Sequence, residues 1–85
     1  MKNGLWNKPI TYEENDRGGY RTIGSTEEAA RVLLTKWPVK EGKAYLRAQK
    51  VCLDVMEGKR KPEEARRAFL KAAEEAGVFV REWRV

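Results

Sequence analysis

The chain has 85 residues, 41% of them hydrophobic and 36% charged, which makes one domain over residues 1–85. That balance is too apolar for a disordered chain and too broken by charge for a membrane span. With no histidine and a single cysteine, it lacks the commonest general base and metal ligand, any Cys–His arrangement and any disulfide.

Residues 5–13 carry Trp6, Ile10 and Tyr12 at one parity, which predicts a β-strand. Pro9 removes a ladder donor, so the strand is expected at a sheet edge, or with Pro9 opening its regular part. Residues 14–19 are turn chemistry, ending in Gly18-Gly19, and residues 20–24 form a second strand. The pair reads as a β-hairpin.

Ser25-Thr26-Glu27-Glu28 fits a capping box, with Thr26 the neighbouring choice of N-cap. Ala30, Leu33 and Trp37 form the apolar stripe of the helix that follows, flanked by Ala29 and Leu34. Pro38 disfavours helical geometry at Trp37, so the helix is expected to end there, with Trp37 as a core anchor.

The stretch from Gly42 to Gly58 has the clearest helical period in the chain. Ala44, Tyr45, Ala48, Val51, Cys52, Val55 and Met56 share a broad face, and Leu46 and Leu53 are expected to widen the buried arc. Lys43, Arg47, Lys50, Asp54 and Glu57 take the opposite face. We read it as the central helix, with the remaining elements packed onto it. Gly58 is placed to stop it, and Lys59-Arg60-Lys61 is a basic loop.

Pro62 opens a third helix, with Glu63 and Glu64 at the positive end of its dipole. Ala65, Ala68, Phe69, Ala72 and Ala76 make its inner face, and Gly77 ends it. Residues 78–83 alternate and suit a third strand. A hairpin alone is marginal in water, so that strand should join it. The fold class is therefore α+β, in the order β-β-α-α-α-β. A small antiparallel sheet, made of the N-terminal hairpin and the C-terminal strand, packs on three helices.

Several pieces spread over the chain carry a family likeness. They are Pro9-Ile10-Thr11-Tyr12, Ser25-Thr26-Glu27-Glu28-Ala29-Ala30, Leu33-Leu34, Trp37-Pro38, Gly42-Lys43-Ala44-Tyr45, Cys52-Leu53 and the Ala65-Arg66-Arg67-Ala68-Phe69-Leu70 run. From about Pro9 to Val80 the sequence resembles a family of small bacterial proteins catalogued as domain of unknown function 982. The resemblance implies a bacterial source and brings no activity, cofactor or site residue with it.

The chemistry readable from the residues is sparse. Cys52 falls on the apolar face and is expected in the core rather than as a nucleophile. Glu27, Glu28, Glu63 and Glu64 sit in first helical turns, where acids stabilise the dipole, so they are not read as catalytic pairs. No catalytic, cofactor-binding or metal-binding residue is assigned. The N-terminal decapeptide lacks an apolar signal-peptide region, and the expected location is a reducing cytosol.

Net charge is +5, and most of the excess lies in residues 42–61. Lys43, Arg47 and Lys50 share one helix face, and Lys59, Arg60 and Lys61 follow beyond its far end. These six are the candidate contacts for an anion or a nucleic acid. Asp54 and Glu57 interrupt them, so weak, non-specific binding at low salt is the expectation. Trp6 and Trp83, near the termini, are candidates for self-association. The favoured reading is a non-catalytic interaction or regulatory module with an unidentified protein partner, and a homodimer as the simplest assembly. The alternative is a nucleic-acid-binding accessory protein using the basic stripe.

Overall fold

A computed structural model describes residues 5–14 and 19–82. The elements are β1 (Leu5–Glu13), β2 (Tyr20–Ser25), α1 (Thr26–Thr35), α2 (Lys43–Met56), α3 (Pro62–Ala76) and β3 (Val80–Glu82). The order is β-β-α-α-α-β, an α+β fold, as the periodicities imply.

The sheet is antiparallel with strand order β2-β1-β3, so β1 is the central strand and not an edge. Pro9 is tolerated there for a local reason. The β1–β2 register shifts between Leu5 and Ile10, and regular pairing resumes only at Ile10↔Ile23. Pairing of β1 with β3 covers Ile10 to Tyr12 alone. Pro9 thus precedes the regular part, where its missing N–H breaks no ladder bond. The Gly18 part of the expected turn lies outside the described residues, although Glu14 N–H donates to the Gly19 carbonyl at 2.7 Å and closes the hairpin.

Trp6, Ile10, Tyr12 and Ile23 turn inward from the sheet. The outer face carries polar pairs such as Thr11 and Thr22, whose hydroxyls are 2.8 Å apart. Inside, Phe69 of α3 is ringed by Trp37 at 5.1 Å, Tyr12 at 5.8 Å and Trp6 at 6.3 Å between ring centroids. The tilted and edge-on geometries are those aromatic pairs prefer. Ala29, Leu33, Ala48, Cys52, Ala65, Ala72 and Ala73 close the core around them, each of them fully buried.

Local sequence explains the helix ends. Ser25 caps α1, its Oγ accepting the Glu28 N–H at 3.2 Å. The Glu28 carboxylate reaches back to the Gly24 N–H at 2.8 Å. The helix ends at Thr35 rather than Trp37, because the restriction imposed by Pro38 acts before the proline. Trp37 is nevertheless buried, as its spacing from Leu33 predicts. Gly58 and Gly77 adopt φ of 81° and 72° and end α2 and α3, the left-handed stop that only glycine takes without cost.

The expectation for α2 needs three corrections. First, α1 packs on β2 and α3 on β1, while the main neighbours of α2 are α1 and α3. The helix with the clearest period therefore lies on the outside of the helical side, and the core centres on Phe69. Second, Leu46 and Leu53 do not widen the buried arc. With α1 and α3 on its two flanks, α2 leaves its remaining face in solvent, and both leucines, with Met56, are exposed. Leu34 of α1 is exposed too. Third, Asp54 is buried, not solvated, because the basic loop folds back over it.

Candidate binding surfaces

The carboxylates of the first helical turns serve structure. Glu64 Oε2 accepts the Lys61 N–H at 3.2 Å, and its Oε1 accepts from Arg60 at 2.9 Å. These contacts, the Lys61 backbone first and Arg60 second, hold the Glu64 carboxyl below its ordinary value. Glu27 and Glu63 form exposed i,i+4 contacts with Arg31 and Arg67. Cys52 is fully buried, and burial pushes its thiol up to about 12, so the thiolate is scarce at neutral pH.

The six residues of the basic stripe do not stay together as free charges. Lys50 donates to both Asp54 oxygens, at 3.1 and 3.2 Å. Arg60 donates to Asp54 at 3.1 Å and to Glu64 at 2.9 Å, and Lys59 lies 3.3 Å from Glu57. The bonds from Lys50 and then Arg60 draw the Asp54 carboxyl below its ordinary value. Lys43, Arg47 and Lys61 have no ion-pair partner among the described residues. The acids that interrupt the stripe in sequence thus neutralise half of it in space.

The fold makes a different cationic grouping. Glu75, near the end of α3, accepts the Ala44 and Tyr45 N–H groups at 3.0 and 3.1 Å, so α3 caps the start of α2. At the other end, Arg60 beside α3 bonds Asp54 near the end of α2. The two helices are therefore antiparallel neighbours. Between these clasps runs a groove of about 240 Å³. Its floor is Ala44, Val51 and Ala68, and Arg47 from α2 faces Arg67 and Lys71 from α3 across it. Arg60 and Glu64 line it as well. Arg67 is 3.9 Å from Glu63, with both side chains largely exposed, and Arg47 and Lys71 have no ion-pair partner among the described residues.

The residues flanking this groove carry a family assignment. Residues 8–80 match the family described as "Protein of unknown function (DUF982)". The chain belongs to this family. The match spans β1 from Lys8 onward, β2, all three helices and the first residue of β3, which is the part that resembled the family by its motifs. No curated protein and no solved structure matches the chain.

A second groove of about 430 Å³ lies between the start of β1 and the start of α3, lined by Trp6, Lys8, Pro62 and Arg66 among others. The Trp6 side chain is largely internal. It is 8% exposed, and its indole N–H donates to the buried Thr26 hydroxyl at 3.1 Å. Most of the ring is committed to the core against Phe69. Trp83 lies outside the described residues.

Arg67 and Lys71 were missed as groove residues. Arg67 keeps its contact with Glu63 at 3.9 Å, while Glu64 turns to Arg60 and Arg66 donates to the Lys8 carbonyl at 2.8 Å. The i,i+4 spacing of Arg67 and Lys71 was the available signal, since it puts both on one flank of an antiparallel neighbour of α2. Nothing in the sequence singled out Glu75 as a long-range cap.

Proposed function

We propose that this protein is a small non-catalytic interaction module, and that the outer face of α2 is a contact surface for a second copy of the chain. The observation that supports it is a row of apolar side chains on that face. Leu46, Leu53 and Met56 are 60%, 49% and 43% exposed, on a helix whose other face is buried. Single exposed leucines are ordinary, but Leu46 and Leu53 are seven residues apart and share one stripe. Two copies of α2 packed antiparallel about a two-fold axis would set Leu46 against the Leu53 of the other copy. The same register brings Lys43 of each copy near the Glu57 of the other, an opposite-charge match at both ends. Three side chains fall short of a standard interface, so the association is concentration-dependent.

Sedimentation velocity from about 1 μM to about 1 mM tests this. The expected result is a rise from the 9.8 kDa monomer toward twice that mass, abolished in Leu46→Lys/Leu53→Lys. A single monomeric species throughout the series would remove self-association from the proposal.

A further inference from the structure

We propose that the groove between α2 and α3 docks an acidic, partly apolar peptide segment of a protein partner in extended conformation. The proposal rests on the reading of the chain as an interaction module and supplies a location and a ligand chemistry for it. Charge is the first argument. Arg47, Arg67 and Lys71 converge on a single groove, and the carboxylate that also lines it, Glu64, is already committed to Arg60 and to the Lys61 N–H. Arg47 and Lys71 have no ion-pair partner among the described residues, and Arg67 has only the exposed contact with Glu63 at 3.9 Å, so the cleft keeps an excess of positive charge that attracts an anionic ligand and steers its approach.

Spacing is the second argument. Arg67 and Lys71 are one helical turn apart, about 6 Å along the axis. Alternate residues of an extended peptide are separated by about 6.6 Å and point the same way. Carboxylates at positions i and i+2 therefore meet the two cations in step. The intervening residue faces the opposite way, toward the α2 side of the groove, where Ala44 and Val51 beside Arg47 accept an apolar side chain. The clasps at the two ends, Glu75 on the α2 N-terminus and Arg60 on Asp54, fix the helix spacing that makes the groove.

The same features disfavour a polynucleotide. Among the described residues, no aromatic side chain lines the groove to stack a base. The pairing of Lys50, Lys59 and Arg60 with Asp54, Glu57 and Glu64 also removes the wider ring of charges that a phosphate backbone would need.

The test uses the full-length, isotopically labelled protein and a pool of nonapeptides randomised over Asp, Glu, Leu and Val. A Lys-for-acid pool and a thymidine oligonucleotide serve as competitors. At about 150 mM salt, where exposed charges are screened beyond roughly 8 Å, the acidic pool should shift the backbone resonances of Ala44, Arg47, Val51 and Ala68. Arg47→Glu/Arg67→Glu should weaken binding at least about tenfold, because both residues are exposed and the change reverses their charge. Leu46→Lys/Leu53→Lys should bind the pool as the parent does. Silence at the groove resonances, equal binding of the Lys pool, or tighter binding of the oligonucleotide would each overturn the proposal. Self-association with a silent groove would sink the groove and leave the module reading standing, and silence in both assays would sink both.

Discussion

The two halves of the helical side are built on opposite terms. Around Phe69, facing the sheet, aromatic rings are close-packed, and Tyr12 Oη and Trp37 Nε1 are buried without a hydrogen-bond partner among the described residues. Along the outer edge of α2 and α3, apolar burial is thin and polar groups are heavily bonded. Asp54 takes Lys50 and Arg60, Glu64 takes Arg60 and Lys61, and Glu75 takes two α2 N–H groups. Core packing tolerates an unsatisfied hydroxyl where area dominates. The outer edge uses directional bonds to set the spacing of two helices, and leaves Arg47 and Lys71 between them with no ion-pair partner among the described residues. Stability and binding should therefore separate by mutation.

The largest expected effect is in the aromatic core. Phe69→Ala should lose about 3–5 kcal/mol through the cavity left among Trp6, Tyr12 and Trp37, and Trp37→Ala should lose a similar amount. Urea denaturation checks both. Gly42→Ala comes next, at roughly 1–3 kcal/mol. Its φ of 118° strains any side chain, and an added Cβ would run into the Glu75 carboxylate. Glu75→Ala removes the cap itself and should cost about 1 kcal/mol, read from the same curves.

These expectations show where the sequence was legible. Element order, Trp37, Cys52 and both glycine stops follow from periodicity and turn chemistry, which act over a few residues. The position of α2 was not legible, because a helix flanked on two sides and one enclosed on all sides have similar wheels. Leu46 and Leu53 carry the same letters in either case. The groove depends on Arg47 and Arg67 meeting across a helix pair, and Glu75 acts 31 residues from Ala44 in the chain. Such contacts are set by packing, which local pattern does not encode.

The pH profile sharpens the comparison from both ends. Asp54 and Glu64 are held below their ordinary values of 3.8 and 4.5 by their hydrogen bonds. Their contribution is present above those values and is lost as pH falls through the depressed ones, so the outer edge should loosen first in acid. Asp54→Asn should flatten that limb. Burial raises Tyr12 and Cys52 to about 12 from 10.0 and 9.0. Their contribution is complete below the ordinary values and is lost as pH climbs toward 12, so the core should fail in alkali. Thermal melts across pH, followed by tryptophan fluorescence, separate the two limbs. The smallest core effect is expected for Tyr12→Phe, which deletes a hydroxyl with no hydrogen-bond partner among the described residues and should be neutral or stabilising by up to about 1 kcal/mol.

The most direct measurement sets Arg47→Ala/Arg67→Ala/Lys71→Ala beside Phe69→Ala in urea. If the groove cations are held for binding and the aromatic cluster for stability, the triple variant should unfold within about 0.5 kcal/mol of the parent, while Phe69→Ala loses several times that. A triple variant as destabilised as Phe69→Ala would show that the groove cations help to hold the fold together, and would contradict the division of roles between the two halves.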